Sequence, residues 1–535
     1  MRSSRILDLN GQPMKPMAHI VGRNESYRGA SAVTRELSDY NPVNLSPDAT
    51  ILYSRDSLVA RTRDLARNNG FVRGAFQAGE DNVVGPRAPR LVATPDHRVL
   101  GITSEDADRI AREVEGFWRG YTEDPDFYVD ASLRQNFHGL CQTVYWMGSQ
   151  TGEILCLPRW LPGRGGDFST AFELIEPDVL SNPNGRVDDE FLRGGVELGQ
   201  YKEPLAYHFQ KSHPGDLYNL SSPLQEWVRV PRATEWGRKR VIHSFKVIRP
   251  GMTRGEPGTA SIIEAVKMLD TYERAEAQSN VINAIFAAVI ESPYDRDLLD
   301  DNDDPIALLD QAAQRQAWHK KKEFTLDGVK IPQLLPGEKF NLLSNSRNNQ
   351  SFAVFEAAVL RRISAGLGRS FEQVSRDYSK TNYSSARASL LEAWKFSRGE
   401  LTFYSTYFYQ QCYALWLEEV FDRGMLSIPA GAPTFYEAKS AWCSARFNGP
   451  GRGWIDPVKE AQAAGIRIAS GLSTLEAECS EQGRDWEEVL EQLKREQARL
   501  KELGLPPLNL EGMLEVGMAI VPRSDLDQED KEAEE

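Results

Sequence analysis

No cysteine pair at metal-ligand spacing occurs in this chain. Its five cysteines, Cys141, Cys156, Cys412, Cys443 and Cys479, are scattered and form no C-x-x-C motif. That argues against a disulfide framework and a zinc knuckle, and it fits a reducing compartment. The G-x-x-x-x-G-K-[ST] phosphate loop is also missing, as are the G-x-S-x-G elbow, the H-E-x-x-H pair and any catalytic-cysteine signature. The seven histidines, His19, His97, His138, His208, His213, His243 and His319, stand apart from one another, which favours structural or surface roles over ligation. No apolar run approaches the ~20 residues of a membrane span, and none follows the early basic residues as a secretory signal would. The expectation is a soluble intracellular chain with no membrane partner. Basic excess is lacking too: net charge is −14 and the pI about 5.3. Tight wrapping of nucleic acid, which depends on dense Lys and Arg, is excluded.

What is present is an ordinary globular composition, 41% hydrophobic and 26% charged over 535 residues. That length has room for about two to four domains. The chain reads as organised around residues 350–421. Phe352, Phe355, Val359 and Ile363 recur three or four apart and share one helix face. Gly366-Leu-Gly368 stops that helix. A polar segment, residues 369–381, carries Arg376, Asp377, Tyr378, Ser379 and Lys380. Helical pattern then resumes at Ser384 or Ser385 and runs to about Phe421, on the order of 55 Å at the helical rise. Gly399 is the expected place for a bend.

The remainder predicts a mixed α+β chain. Residues 1–50 read as a loosely ordered arm or a strap laid over a neighbour. Helices are expected over 58–67, 71–81 and 103–118, the last with Thr103 and Asp106 as a capping pair. Short strands follow over 153–160, 172–175, 194–198, 205–210 and 240–247. A long helix over 259–292, small-faced at Ala275, Ala277, Ala284, Ala287 and Ala288, is expected to end at Pro293. Asp327-Gly328 between strand formers is a hairpin signal, with a further strand over 339–343. Residues 449–453, Gly-Pro-Gly-Arg-Gly, read as a flexible linker rather than a phosphate site. Helices over 456–470, 474–481 and 486–503 precede an acidic tail from Ser524.

Three groups of residues could carry chemistry. The acids Asp300, Asp301, Asp303 and Asp304 can attract Ca²⁺ or Mg²⁺, but they lack the glycine and terminal glutamate of an EF-hand, so a solvated loop is favoured. Phe403, Tyr404, Tyr407, Phe408, Tyr409, Tyr413 and Trp416 have helical spacing without interleaved cations. That reads as core or subunit interface rather than a base-stacking platform. Arg376 and Lys380 are solvated loop charges unless something places the loop against an anion. No cofactor and no metal is expected.

Several stretches resemble the lambda family of tailed-phage portal proteins: residues 63–70 (Arg-Asp-Leu-Ala-Arg-Asn-Asn-Gly), Thr253-Arg-Gly255, Lys267-Met-Leu-Asp270-Thr, Leu335-Pro-Gly337, Ala365-Gly-Leu-Gly368 with Phe371-Glu-Gln, and residues 383–389. They fall in order across nearly the whole chain. The resemblance implies a non-enzymatic head–tail connector with the portal fold: a ring, twelve subunits in the family, at one capsid vertex, through which double-stranded DNA is packaged and ejected. It implies a flexible arm over 1–50, a wing over 51–257, stem helices over 258–292 and 347–368, and a clip over 293–346. A tunnel loop over 369–383, a wing helix and following segment over 384–448, a crown over 449–507 and an acidic tail over 508–535 complete it. Arg369, Arg376, Tyr378 and Lys380 would face the DNA channel, and Asp327, Gly328 and Lys330 would form the clip's docking hairpin. Implied partners are the terminase large subunit, head-completion proteins, and the major capsid and scaffold proteins. The implied location is the virion, with assembly in the host cytoplasm. The competing readings are an enzyme with a metal site over 300–304 and a multi-helical scaffold protein.

Overall fold

The computed structural model describes residues 28–30, 34–216, 226–285, 289–291, 317, 323–326, 329–332, 339–341, 350–379, 383–453 and 456–506. Helix α1 (Pro47–Asn68) starts eleven residues before the expected helix, because Ser46 caps it and Pro47 occupies its first turn. Apolar periodicity misses that half since its inward positions include Asp48 and Arg55, both buried and ion-paired. Asn69 ends α1 and caps α2 (Gly70–Val83) by accepting from Val72 N–H. Strand β1 (Arg90–Ala93), the one-turn α3 (His97–Leu100), α4 (Ser104–Thr122) and α5 (Phe137–Thr151) follow. Thr103 caps α4, accepting from Asp106 N–H, as the sequence predicts.

Two antiparallel sheets come next. Strands β2 (Glu153–Trp160), β3 (Thr170–Leu174) and, later, β8 (Ile242–Phe245) make a sheet ordered β3-β2-β8. Strands β4 (Leu192–Arg193), β5 (Val196–Leu198), β6 (Pro204–Gln210) and β7 (Trp227–Pro231) make a meander. Leu155 and Leu157 of β2 pack with Val196, Tyr207, Phe209 and Val230 between the sheets.

Helix α6 (Ile263–Ile285) is shorter than the expected 259–292 helix. Residues Val289–Glu291 form strand β9, which pairs with β12 (Lys339–Asn341) in the register Val289↔Asn341. Val289 and Ile290 are β-branched, and given a partner strand they pair rather than extend the helix. Strands β10 (Glu323–Leu326) and β11 (Val329–Pro332) pair antiparallel with Leu326 opposite Val329, so a two-residue connection joins them, as Asp327-Gly328 predicts. Asp327 and Gly328 themselves, and the acids at 300–304, lie outside the described residues.

Helix α7 (Gln350–Leu367) is as expected, but the polar segment after it contains a short helix, α8 (Phe371–Ser375). Ser370 and Gln373 form a reciprocal capping box there. The long helix is α9 (Tyr383–Tyr404) and α10 (Gln410–Asp422) joined by a π-helical turn, Ser405–Tyr409. The irregularity falls at this π turn and not at Gly399. The turn puts Phe408, Tyr409, Cys412, Tyr413 and Trp416 all inside, while Tyr407 stays half exposed and its carbonyl accepts from Ser244 Oγ at 2.8 Å. The aromatic group is therefore core: Trp416 meets Trp118 edge-on at 5.1 Å and stacks on Tyr121 at 5.9 Å.

Strand β13 (Ala445–Asn448), after the one-turn α11 (Lys439–Trp442), pairs with β1 across some 350 residues of sequence. The glycine segment beyond it is packed and not a loose linker: a Cβ on Gly451 would lie 2.5 Å from the Gln482 carbonyl oxygen. Helices α12 (Pro457–Ala469), α13 (Leu475–Glu481) and α14 (Trp486–Glu502) close the described chain. Not one residue of these three is buried, although Trp486, Val489, Leu493 and Leu500 form a stripe along α14. Among the described residues no helix is long and apolar enough to cross a membrane.

Candidate functional site

The site is the corner where α7 turns through α8 into α9. Arg369 leaves the end of α7 and points inward, 8% exposed. Its Nη2 donates to Glu400 Oε2 at 2.6 Å and to Tyr145 Oη at 2.9 Å, its Nη1 to Ser397 Oγ at 3.3 Å, and it lies over the Phe396 ring. Burial works against its charge, yet Glu400 and Tyr145 more than offset that and hold its pKa raised. Burial lifts Glu400 despite the neighbouring guanidinium. Helix α2 comes close enough to seal this lock only because residue 79 is glycine.

Arg376 ends α8 in the left-handed region, φ 57°, and is exposed, as is Tyr378. Arg376 borders a cleft of about 330 Å³ that Asn69, Gly70, Asp270 and Glu273 also line. Asn69 Nδ2 donates to Asp270 Oδ1 at 2.8 Å across it. Burial, then Glu356 and Asp270, raise the Glu273 pKa.

A second polar knot holds the body beneath. Glu153, wholly buried on β2, accepts from Arg254 Nη2 at 2.6 Å, Arg55 Nη2 at 2.5 Å, Gly255 N–H at 3.1 Å and His243 Nε2 at 3.0 Å. Next to it Asp48 accepts from Thr253 N–H and Oγ1, both at 2.7 Å, and from Arg193 at 3.0 Å. Glu176, Asp178 and His213 bring possible metal-ligating atoms within 4.8 Å of one another. Arg63 lies among the carboxylates, 2.6 Å from Asp178 and 2.5 Å from Glu176, supplying the positive charge that a metal would.

A family model for phage portal proteins of the lambda family matches residues 33–400. The chain belongs to that family. It is 35% identical over 490 residues to the portal protein of Escherichia phage N15, covering 90% of this chain and 91% of that one. It is 34% identical over 488 residues to portal protein B of Escherichia phage lambda, covering 90% of each. Among solved structures it is similar to a chain in the neck of an empty GTA particle, 13% identical with a TM-score of 0.45, covering 83% of this chain and 94% of that chain.

Portal proteins of this family are structural virion components that serve DNA packaging. In this lambda-family chain the loop cations separate. Arg369, expected to face the channel, has its guanidinium buried and ion-paired with Glu400 in this chain. Arg376 and Tyr378 are exposed. Lys380, the cation expected foremost, lies outside the described residues, and Lys330 sits on β11 opposite Thr325. Tyr145, Gly79 and Glu400 were missed. They come from α5, α2 and α9, and nothing in the local pattern of any of them announces a shared contact. By contrast, Arg63, Asn69, Arg254 and Asp270, all in the family-like stretches, turn out to make the polar joints.

The last helices are also joined to the portal body by charge. Arg90 on β1 pairs with Glu488, and Arg119 on α4 reaches the same carboxylate at 2.9 Å. Beside them Glu115 accepts from Ala93 N–H at 2.8 Å, and burial, with Asp485 and Glu487 adding, lifts its pKa from the ordinary 4.5 to about 7. A raised carboxyl favours the native state while protonated, so its contribution is complete below pH 4.5 and is lost as pH rises through about 7. Above that pH its charge opposes folding by on the order of 3 kcal/mol. Glu115→Gln should therefore melt higher than wild type near pH 8 and about equal to it near pH 4.5, as read by thermal unfolding across the range. A constant difference at every pH would contradict this assignment.

Proposed function

We propose that copies of this chain, twelve as the family resemblance implies, close into a ring at one capsid vertex, and that double-stranded DNA passes through its centre during packaging and ejection. The observation that carries the ring is the apolar surface left open on α12 and α14: no residue of these helices is buried, and Val458, Ile466 and Leu490 are 58%, 61% and 43% exposed. Open apolar side chains on helices held to the body mainly by ion pairs are the surface that neighbouring copies would cover. In this reading α6 and α7 are the stem, residues 293–346 the clip that meets terminase and head-completion proteins, and residues 369–383 the tunnel loop. Residues 51–257 and 384–448 form the wing, and 449–507 the crown. A net charge of −14 per copy suits a conduit that repels phosphate and does not grip it.

Electron microscopy of the purified full-length chain tests the ring. Closed rings with a central hole are expected, and a monomer or dimer at all concentrations overturns the reading. For the loop, Arg376 and Lys380 supply brief backbone contacts that carry no sequence information. Lys380→Glu phages should package or retain shortened genomes, measured by the length of encapsidated DNA. Full-length genomes at wild-type yield would remove Lys380 from the channel.

A further inference from the structure

Two surfaces are left uncovered, and their chemistry matches. The first is the segment before α1. Residues 34–46 are exposed except for the half-buried Leu37, with Tyr40 69% and Val43 78% accessible. Among the described residues, the bond that ties residues 35–45 to the body is Arg249 Nη2 donating to the Leu45 carbonyl at 3.1 Å. Residues 34–40 form a hydrogen-bonded turn, Ser38 N–H donating to the Thr34 carbonyl and Tyr40 N–H to that of Leu37, and proline at 42 restricts Asn41 to extended backbone, so Tyr40 is presented at the end of a preformed turn.

The second surface is a cleft of about 770 Å³ between the end of β2, the loop after β7 and the end of α10. Its walls carry the indoles of Trp160 and Trp236, 51% and 65% exposed. The acids on its floor are already engaged: Glu419 accepts from the Ser169 and Thr170 N–H groups, and Glu418 from Tyr436 Oη. Among the described residues of the cleft, Arg240, Asp422 and Lys239, the last of which donates to Gln411, stand in no ion pair, so the cleft offers two cations and one acid. The arm offers the complement, Asp39 next to Tyr40, and Arg35 upstream.

We propose that residues 35–45 of one copy lie in the Trp160–Trp236 cleft of the adjacent copy. Tyr40 packs against the indoles, Asp39 meets Arg240, and Arg35 meets Asp422. The arm's base is fixed by Arg249 and the start of α1, and the segment stands clear of its own body, so its cover comes from another chain. The inference rests on the ring reading and adds a strap between ring neighbours.

Full-length Tyr40→Cys/Trp236→Cys, oxidised after ring formation, should give a ladder of linked subunits on non-reducing gels, absent from either single variant. Wild-type rings seen by microscopy without that ladder overturn the strap and leave the ring standing. Absence of rings in wild type overturns the ring itself. A faster-migrating monomer in place of the ladder means that the arm seats in its own chain and refutes the inference. As a second readout, Tyr40→Ala and Trp236→Ala should each lower the urea midpoint of ring dissociation, and the double variant should lower it no further. Additive losses would refute the contact, as would a Trp236 shielded from acrylamide only once another capsid protein is added.

Discussion

Glu153→Ala should cost about 3–5 kcal/mol of stability, the range for breaking a buried ion pair by removing one partner. The carboxylate is fully enclosed and faces two guanidiniums and an imidazole. Removing it leaves Arg55 and Arg254 next to each other with nothing between them. Burial opposes its charge, but Arg254, then Arg55 and His243, hold its pKa well below the carboxylate range. A depressed carboxyl contributes stability above its unfolded value of about 4.5, and loses it as pH falls through the folded value. Burial lowers the His243 pKa, so that group too favours the native state at neutral pH and turns against it in acid. Urea unfolding of full-length wild type and variant should thus show a large gap at pH 7 that narrows at low pH. A loss under about 1 kcal/mol at neutral pH would mean that water reaches the cations, contradicting the enclosure.

Gly79→Ala is the second large effect. A Cβ there would stand 1.7 Å from Tyr145 Oη and 2.2 Å from Arg369 Nη2. Neither is a free end: Tyr145 is buried against Tyr404, and Arg369 is held by Glu400 and Ser397. Overpacking costs about 1–3 kcal/mol, and a buried donor left without its acceptor adds about 1–3 kcal/mol. The expected total is on the order of 3 kcal/mol. Tyr145→Phe removes the nearest atom, so in the Gly79→Ala background it should recover part of the loss, although alone it destabilises. Strict additivity in that double-mutant cycle would show that the clash is relieved elsewhere. Because Arg369 anchors the proposed tunnel loop, Gly79→Ala should also alter packaged DNA length at temperatures where the protein stays folded.

These two sites differ in how visible they are before folding. Arg254 stands in a stretch that resembles the portal family, so the sequence draws attention to it, but its partner Glu153 looks like any strand carboxylate. Arg369 shows the same limit: it heads a polar segment whose pattern gives no sign of burial, yet four elements converge on it. Arg55 and Asp48 hid the first half of α1 for the same reason. Periodicity counts apolar residues, and a buried ion pair looks polar at both ends.

The sequence by itself determined the family, the amphipathic α4 with its cap, the two-residue hairpin connection and the three C-terminal helices. Each depends on contacts within a few residues, where side-chain spacing and capping chemistry act directly. The tertiary structure alone decided that Val289–Glu291 pairs as a strand, that β1 meets β13, that the long helix breaks at a π turn, and that Arg369 points inward. In all four the deciding partner lies far along the chain. A side chain's free energy of burial or pairing depends on which group it meets, and only folding brings that group to it.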